Sequence, residues 1–453
     1  MELASFVVQK SYQDLPDEVI EHTKLMFLDT LGCGLGGYTL AAHEVSWILK
    51  LVKEQGGACT STVLCDGFKT SPAFAALANG AMIHSVDFDD THSGSVAHLG
   101  VSLLATIFAI GELLNSKGKD MIAAFTLGFE VAARVGRCVM PSHYDFWHPT
   151  ATFGVIAAAV AAAKLMGFNV EKTELAIGHA ADQAGGLRYC IDKGDFSKSL
   201  HPAFAAMKGV LLTQLVAIGA TGPTGLLEYP SGFCNAYSTD PKFEHLTANL
   251  GKNYEIMNDR PKFYPTIQCS QAPIQATLSL VEKNSLNSDD VEQINIRRGG
   301  GASEGTPLQG VNYSPETVLA ARLSIPFSVS LAICEGQVTI EQFTREKLSD
   351  PKINDMMSKI GVTPDSELDA KYPTERVAVV DITTKDGKTC SEQVFHPKGE
   401  PQNRMTPDEI EDKFRGLASK TFTHEQVAAI ISVTRDLEKV KDCSELARML
   451  VVS

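Results

Sequence analysis

Apolar residues follow two rhythms along the chain, and the change between them divides it. In the first half they recur at helical spacing. Val19, Ile20, Met26, Phe27, Leu28 and Leu31 follow the helix-start signal Leu15-Pro16-Asp17-Glu18. Gly32, Gly34, Gly36 and Gly37 then read as the end of that helix. Residues 73–83, 99–114, 121–139, 151–166 and 205–218 are further long stretches of Ala, Leu, Val and Ile. Their small residues let helices approach closely, so the pattern predicts a large bundle with a nearly continuous apolar interior.

From about residue 255 the texture changes. Val291-Glu-Gln-Ile294-Asn-Ile296 alternates as a half-buried strand does, residues 376–383 are β-rich, and Asp386-Gly387 signals a hairpin before residues 391–395. Residues 314–334 and 339–348 read as helices between these strands. A turn-rich stretch at 397–401 precedes a return to helix at 406–419 and 424–433. The expected fold is mostly α. A large helical domain takes residues 1–255 and 400–453, so that it is discontinuous and uses both chain ends, and residues 256–399 form a smaller α+β domain.

Composition narrows the function. The 453 residues carry 40 Lys+Arg against 54 Asp+Glu, a net charge of −14, and 44% are hydrophobic. An acidic chain has no general basic surface with which to displace counterions from phosphates, so no nucleic-acid partner is expected. A locally basic pocket for small anions remains compatible with that balance. The longest apolar run, residues 154–166, is Ala-rich and broken by Lys164, so no membrane span is expected. The first residues lack a basic stretch followed by an apolar one, and ten cysteines occur singly with no C-x-x-C pair. Both features point to a cytoplasmic protein with reduced thiols. No G-x-G-x-x-G or Walker-type loop stands in strand–turn–helix context.

Four polar clusters interrupt the apolar pattern. The densest runs from His84 through Asp87, Asp89, Asp90, Thr91 and His92 to His98, between two apolar helices. Three carboxylates and three imidazoles there are costly to bury unless they are paired or functional. A solvated connection is the plain alternative, and the apolar flanks favour a site. A metal site ranks below acid–base use, because consecutive Asp89 and Asp90 would point to different helix faces. The second cluster is Trp147-His148-Pro149 at a helix start, where the dipole suits a neutral imidazole; a packed histidine fits equally. The third is Ser197-Lys198-Ser-Leu-His201, also at a helix start. A cation at that position wants an anion, although a surface lysine is the bland reading. The fourth is Arg260-Pro-Lys262-Phe-Tyr264-Pro at the domain junction, two cations around an aromatic turn.

In order and wording these segments resemble the MmgE/PrpD family, which includes 2-methylcitrate dehydratase, cis-aconitate decarboxylase and iminodisuccinate epimerase. The resemblance runs from Lys24-Leu-Met-Phe-Leu-Asp29 through Asn79-Gly-Ala-Met-Ile-His84-Ser-Val-Asp87 to the helix of Glu411-Asp-Lys-Phe414. It implies a helical domain with a smaller α+β lid, a homodimer, and a site that uses no metal or organic cofactor. It also implies roles. His98, His148, Asp87 and Lys198 are the expected catalytic residues, and Thr91, Lys262, Arg260 and His201 the expected substrate-binding ones. The cations would hold a small di- or tricarboxylate, and the histidines would move a proton at the carbon beside a carboxylate.

Three positions depart from the family pattern. Ile267 stands where decarboxylases and dehydratases carry Cys or His, Gln271 where a later His stands, and Phe327 where many relatives carry Tyr. These changes remove proton donors. They count against the decarboxylase more than against the general chemistry, and the expected function is a 2-methylcitrate dehydratase-like lyase. An epimerase of an iminodisuccinate-like dicarboxylate is the alternative, with a cis-aconitate-type decarboxylase after it. Other classes weighed are a binding protein without catalysis and a metal-dependent hydrolase.

Overall fold

Among the described residues helix accounts for 59% and strand for 8%, which makes the fold mostly α with a small α+β part. The computed structural model describes residues 1–299, 308–371 and 375–452. Two compact units divide the chain. One comprises Met1–Arg188, Ser197–Pro261 and Thr406–Ser453, the other Tyr189–Phe196 and Lys262–Met405.

The larger unit is built on α1 (Asp17–Leu40), α2 (Pro72–His84), α3 (Leu99–Leu114), α4 (Gly118–Val139), α5 (Pro149–Leu165) and α6 (Ser197–Ala217). Proline opens both α2 and α5, where its missing N–H costs nothing. α3 stops at Asn115, whose left-handed backbone forms the C-terminal cap. α5 is apolar all round, and α3, α4 and α6 pack on it. A helix without a polar face must lie inside.

The glycines of α1 do not end it. The helix runs on to Leu40, and a Cβ at Gly32 would lie 2.9 Å from the Phe414 ring, at Gly36 2.8 Å from Leu417, and at Gly37 2.0 Å from the Met82 carbonyl oxygen. They are contact points for α2 and for the helix Pro407–Ala418, and close approach outweighs the helix-breaking tendency of glycine. That C-terminal helix opens with a capping box between Thr406 and Glu409. By length and hydropathy α6 passes for a membrane span, as an apolar core helix also does. Here it packs against α2 and α5.

The smaller unit holds a four-stranded sheet, β1 (Val291–Arg298), β2 (Ile360–Pro364), β3 (Ala378–Thr384) and β4 (Thr389–Val394), in the order β2-β1-β3-β4. β1 and β2 are parallel and the other pairs antiparallel. The helix Gln271–Asn284 packs on β3 and β4. The helix expected at 314–334 is two pieces, Val318–Arg322 and Ile325–Glu335. Ser324 caps the second piece and Pro326 sits in its first turn, so the chain restarts a helix there. The helix expected at 339–348 is only a 3₁₀ turn and a one-turn helix, Ile340–Gln342 and Arg345–Leu348.

Candidate active site

α2 ends at His84 and α3 begins after His98, so residues 85–98 form an irregular and almost wholly buried connection. Asp89 and Asp90 therefore belong to no helix, and the expectation of opposite helix faces does not apply. They still diverge: Asp89 turns to His84, and Asp90 accepts from the Gly100 N–H at 3.2 Å. A buried loop must satisfy its own backbone. Thr91 N–H donates to the Arg260 carbonyl at 2.9 Å, Ser93 N–H to Asn258 at 3.2 Å, and His92 N–H to Ala97 at 2.9 Å. Asp87 (φ +50°) and Val96 (φ +55°) have left-handed backbones. Asp tolerates this, whereas a β-branched residue there is strained by on the order of 1–3 kcal/mol.

The Asp87 turn aims its carboxylate at α6. Lys198 Nζ donates to Asp87 Oδ1 at 2.8 Å and to His84 Nε2 at 2.9 Å. His84 in turn donates Nδ1–H to Asp89 Oδ2 at 2.8 Å, and the same carboxylate oxygen lies 3.6 Å from His98 Nδ1. His98 Nδ1 is 2.5 Å from the Asp90 carbonyl oxygen and 3.3 Å from Thr91 Oγ1. A carbonyl can only accept, so the His98 proton sits on Nδ1 and a neutral ring carries its lone pair on Nε2. Thr150, at the start of α5, accepts the His98 N–H at 3.1 Å.

His148 caps α5, and its Nδ1 is 2.9 Å from Nδ1 of His201, so one ring donates and the other accepts. The rings of His84, His98 and His148 form a triangle with centroids 4.8, 6.4 and 6.4 Å apart. Burial holds His148 far below the usual imidazole range, and the positive neighbours His201 and Lys198 add to that. Burial also lowers His84, against the pull of Asp89 and with help from Lys198. Both rings are neutral at pH 7.

Other buried groups brace the connection. Burial, and then the charge of Asp90, pushes Asp259 well above the carboxylate range, so this pair keeps a proton. His92 Nε2 lies 3.3 Å from Glu255, which also pairs with Arg137. Burial raises the Glu255 carboxyl, but these two partners outweigh it and bring it to about 2. Lys413, from the helix Pro407–Ala418, donates to Asp29 Oδ1 and to the Phe88 carbonyl, both at 2.7 Å, and sits 4.0 Å from the Phe88 ring centre.

Of the residues singled out from sequence, Asp87, Thr91, His98, His148, Lys198 and His201 are linked by these contacts within the larger unit. Arg260 lies in the same unit, buried, and its carbonyl holds Thr91. Lys262 is buried and belongs to the smaller unit. His84 and Asp89 received no role from sequence, although both stood in the densest cluster. The signal lay in their spacing, five residues apart across a helix end.

A metal could in principle find donors here. Ligand atoms of His84, His98 and His148 lie within 4.8 Å of one another, as do those of His84, Asp87 and Asp89. The fit is poor, because both His84 nitrogens are engaged, one of them by an ammonium that would repel a second cation. In the smaller unit, Gln271 Oε1 accepts the Tyr264 N–H at 3.0 Å and its Nε2 donates to Thr266 Oγ1 at 3.0 Å. Phe327 is sealed in an apolar cluster with Tyr264, Leu331 and Phe343. Both residues serve the packing of this unit.

Comparison with known proteins agrees across the chain. The MmgE/PrpD N-terminal domain matches residues 1–246 and the MmgE/PrpD C-terminal domain residues 264–439. A cis-aconitate decarboxylase-like protein of Aspergillus oryzae is 29% identical, covering 99% of this chain and 96% of the relative. A cis-aconitate decarboxylase of Aspergillus terreus is 27% identical over 99% of this chain and 95% of its own length. A mitochondrial 2-methylcitrate dehydratase of Yarrowia lipolytica is 25% identical over 92% and 83%. Two domain matches in the family's order, together taking in nearly the whole chain, establish that it belongs to the MmgE/PrpD family.

Proposed function

We propose that this chain is a lyase that acts on a small di- or tricarboxylate by proton transfer at the carbon beside a carboxylate, without a metal or organic cofactor. The observation that carries this reading is the Lys198 ammonium held in a buried cage beside neutral imidazoles. A cation fixed there receives a substrate carboxylate and the charge that spreads into it when the α-proton leaves. His98 takes or gives that proton through Nε2, and His148 is the second acid–base group. Asp87 and Thr91 orient Lys198 and His98, and Arg260 and His201 complete the substrate contacts of the larger unit.

In a dehydration, the base removes the α-proton and hydroxide leaves as water after protonation, which gives an alkene. In a decarboxylation, carbon dioxide leaves and the resulting carbanion is protonated. The names of the relatives include both outcomes. The changed positions Ile267, Gln271 and Phe327 offer no proton donor where relatives carry one, which counts against the decarboxylation more than against the shared proton transfer. An epimerisation needs the same proton transfer without a leaving group, and imidazoles 6.4 Å apart could serve two faces of one carbon. We also propose a homodimer. Phe204, Leu211 and Leu215 on α6 and Ile218 just past its end form an exposed apolar stripe, with 38, 55, 42 and 84% of their surface open, and a second copy would cover it. The ten cysteines stand as thiols, which suits a cytoplasmic setting.

The test is proton NMR in deuterated water with citrate, 2-methylcitrate, cis-aconitate, malate-type diacids and iminodisuccinate. A new vinylic product from a hydroxy acid supports the dehydratase. Itaconate-type methylene signals from cis-aconitate support the decarboxylase. Deuterium exchange without an alkene supports the epimerase, and silence from every acid counts against the lyase. Stoichiometric zinc, iron or manganese in the purified protein would overturn the cofactor-free reading.

A further inference from the structure

An ammonium has three N–H donors. Lys198 gives one to Asp87 and one to His84, and among the described residues the third is left for a ligand. The Asp87 contact is an ordinary buried ion pair. The His84 contact is not, because an imidazole nitrogen accepts from an ammonium only while it keeps its lone pair. With a proton on Nε2, two donors would face each other at 2.9 Å. The His84 proton must therefore sit on Nδ1, where Asp89 lies 2.8 Å away and accepts it.

We propose that Asp89 and His84 are positioning residues for Lys198. The Asp89 carboxylate locks the His84 tautomer, and the Nε2 lone pair so presented fixes the ammonium that meets the substrate. This rests on the reading of Lys198 as the group that binds a carboxylate. Asp89 carries a second consequence. It lies 3.6 Å from His98 Nδ1, so the same negative charge stabilises His98 when that ring takes a proton. One carboxylate thus serves the cation through His84 and the base directly. The charged and titratable groups around Lys198 come from three elements: His84 from the end of α2, Asp87 from the connection, and His148 from the start of α5, which feels the lysine charge. The burial that keeps His84 neutral supports the arrangement.

The test compares His84→Leu, His84→Gln and Asp89→Asn in the full chain, on whichever acid the wild type turns over. Gln can offer an amide oxygen to Lys198 where Leu offers nothing, and both fill the space. His84→Leu is expected to lower kcat by roughly 100-fold, as loss of one preorganised electrostatic contact does. His84→Gln recovers about tenfold of that loss, and KM changes by less than about threefold in both. A purely packing role would make Gln and Leu alike and move the thermal midpoint with the rate; either result overturns the proposal. A second readout needs no substrate. Nitrogen NMR of histidine-labelled protein should show a His84 ring, identified by its loss in His84→Leu, with Nδ1 protonated and Nε2 bare. Asp89→Asn should weaken or reverse that pattern. A wild-type His84 protonated on Nε2, or on both nitrogens, overturns the proposal. If the NMR pattern appears and every acid is inert, the proposal for His84 stands and the lyase reading is what fails.

Discussion

Histidines that refuse protons have a cost in acid. His84, His92, His143 and His148 are all held below the usual imidazole range, chiefly by burial, and His143 reaches about 3. Unfolded, each titrates near ~6.5. Below that pH the unfolded chain binds protons that the folded one declines, so the stability these groups contribute is complete above ~6.5 and drains away as pH falls. Two carboxyls oppose this. Burial raises Glu130 to about 6 despite Arg134, and Asp259 is raised well above its ordinary value, so the folded state holds protons there that the unfolded state lacks. The lowered imidazoles, His245 among them, outnumber the two raised carboxyls, so the unfolded chain takes up more protons than the folded one over this range. Stability should therefore fall as pH drops from about 6.5 toward 5. Urea melts at several pH values measure that slope. It should drop by about one proton in His148→Gln, and a flat profile would show that the rings are not held neutral.

At the scale of elements, what the sequence made legible was periodicity, and what it hid was contact. The helices around α5 and the alternation of β1 could be read directly, because burial of one face or of all faces leaves a pattern. The glycines of α1 misled, because glycine ends helices and also lets them touch, and only the partner tells which. The partner of Gly36 is Leu417, 381 positions away in sequence. Two substitutions separate these roles. Gly37→Ala drives a methyl into the Met82 carbonyl and should cost several kcal/mol, about 3 or more, or prevent folding. Gly416→Ala, exposed in a helix with nothing within 4 Å, should stabilise by about 0.5–1 kcal/mol. Thermal midpoints of the two variants decide it, and a mild effect at Gly37 would refute the close approach. The candidate site shows the same division. Its residue types stood in four segments, but the His84–Asp89 pairing and the His148–His201 contact depend on side-chain directions that spacing does not encode.

At the scale of the whole molecule, the stripe of Phe204, Leu211, Leu215 and Ile218 makes a definite prediction. Sedimentation of the purified protein should give a dimer, and Leu211→Glu should shift it to monomer while leaving helix content unchanged. A wild-type monomer at micromolar concentration would remove the dimer proposal. The larger unit is also closed by its own distant segments. The first and last motifs of the family resemblance, around Asp29 and Lys413, carry no substrate contact in our reading. In the folded chain they act as an anchor, because Lys413 bridges Asp29 to the backbone of Phe88, between Asp87 and Asp89.

That bridge sets an order in time. Phe88 leaves the ribosome 325 residues ahead of the lysine that anchors it, an interval of roughly 15–65 s at ordinary rates of synthesis. Throughout that interval the nascent polypeptide already contains the whole of the His84 to His98 connection but cannot fasten it. The buried connection is therefore fastened late in translation, and a message cut short before the codon for Lys413 would yield the His84 to His98 segment without its clasp.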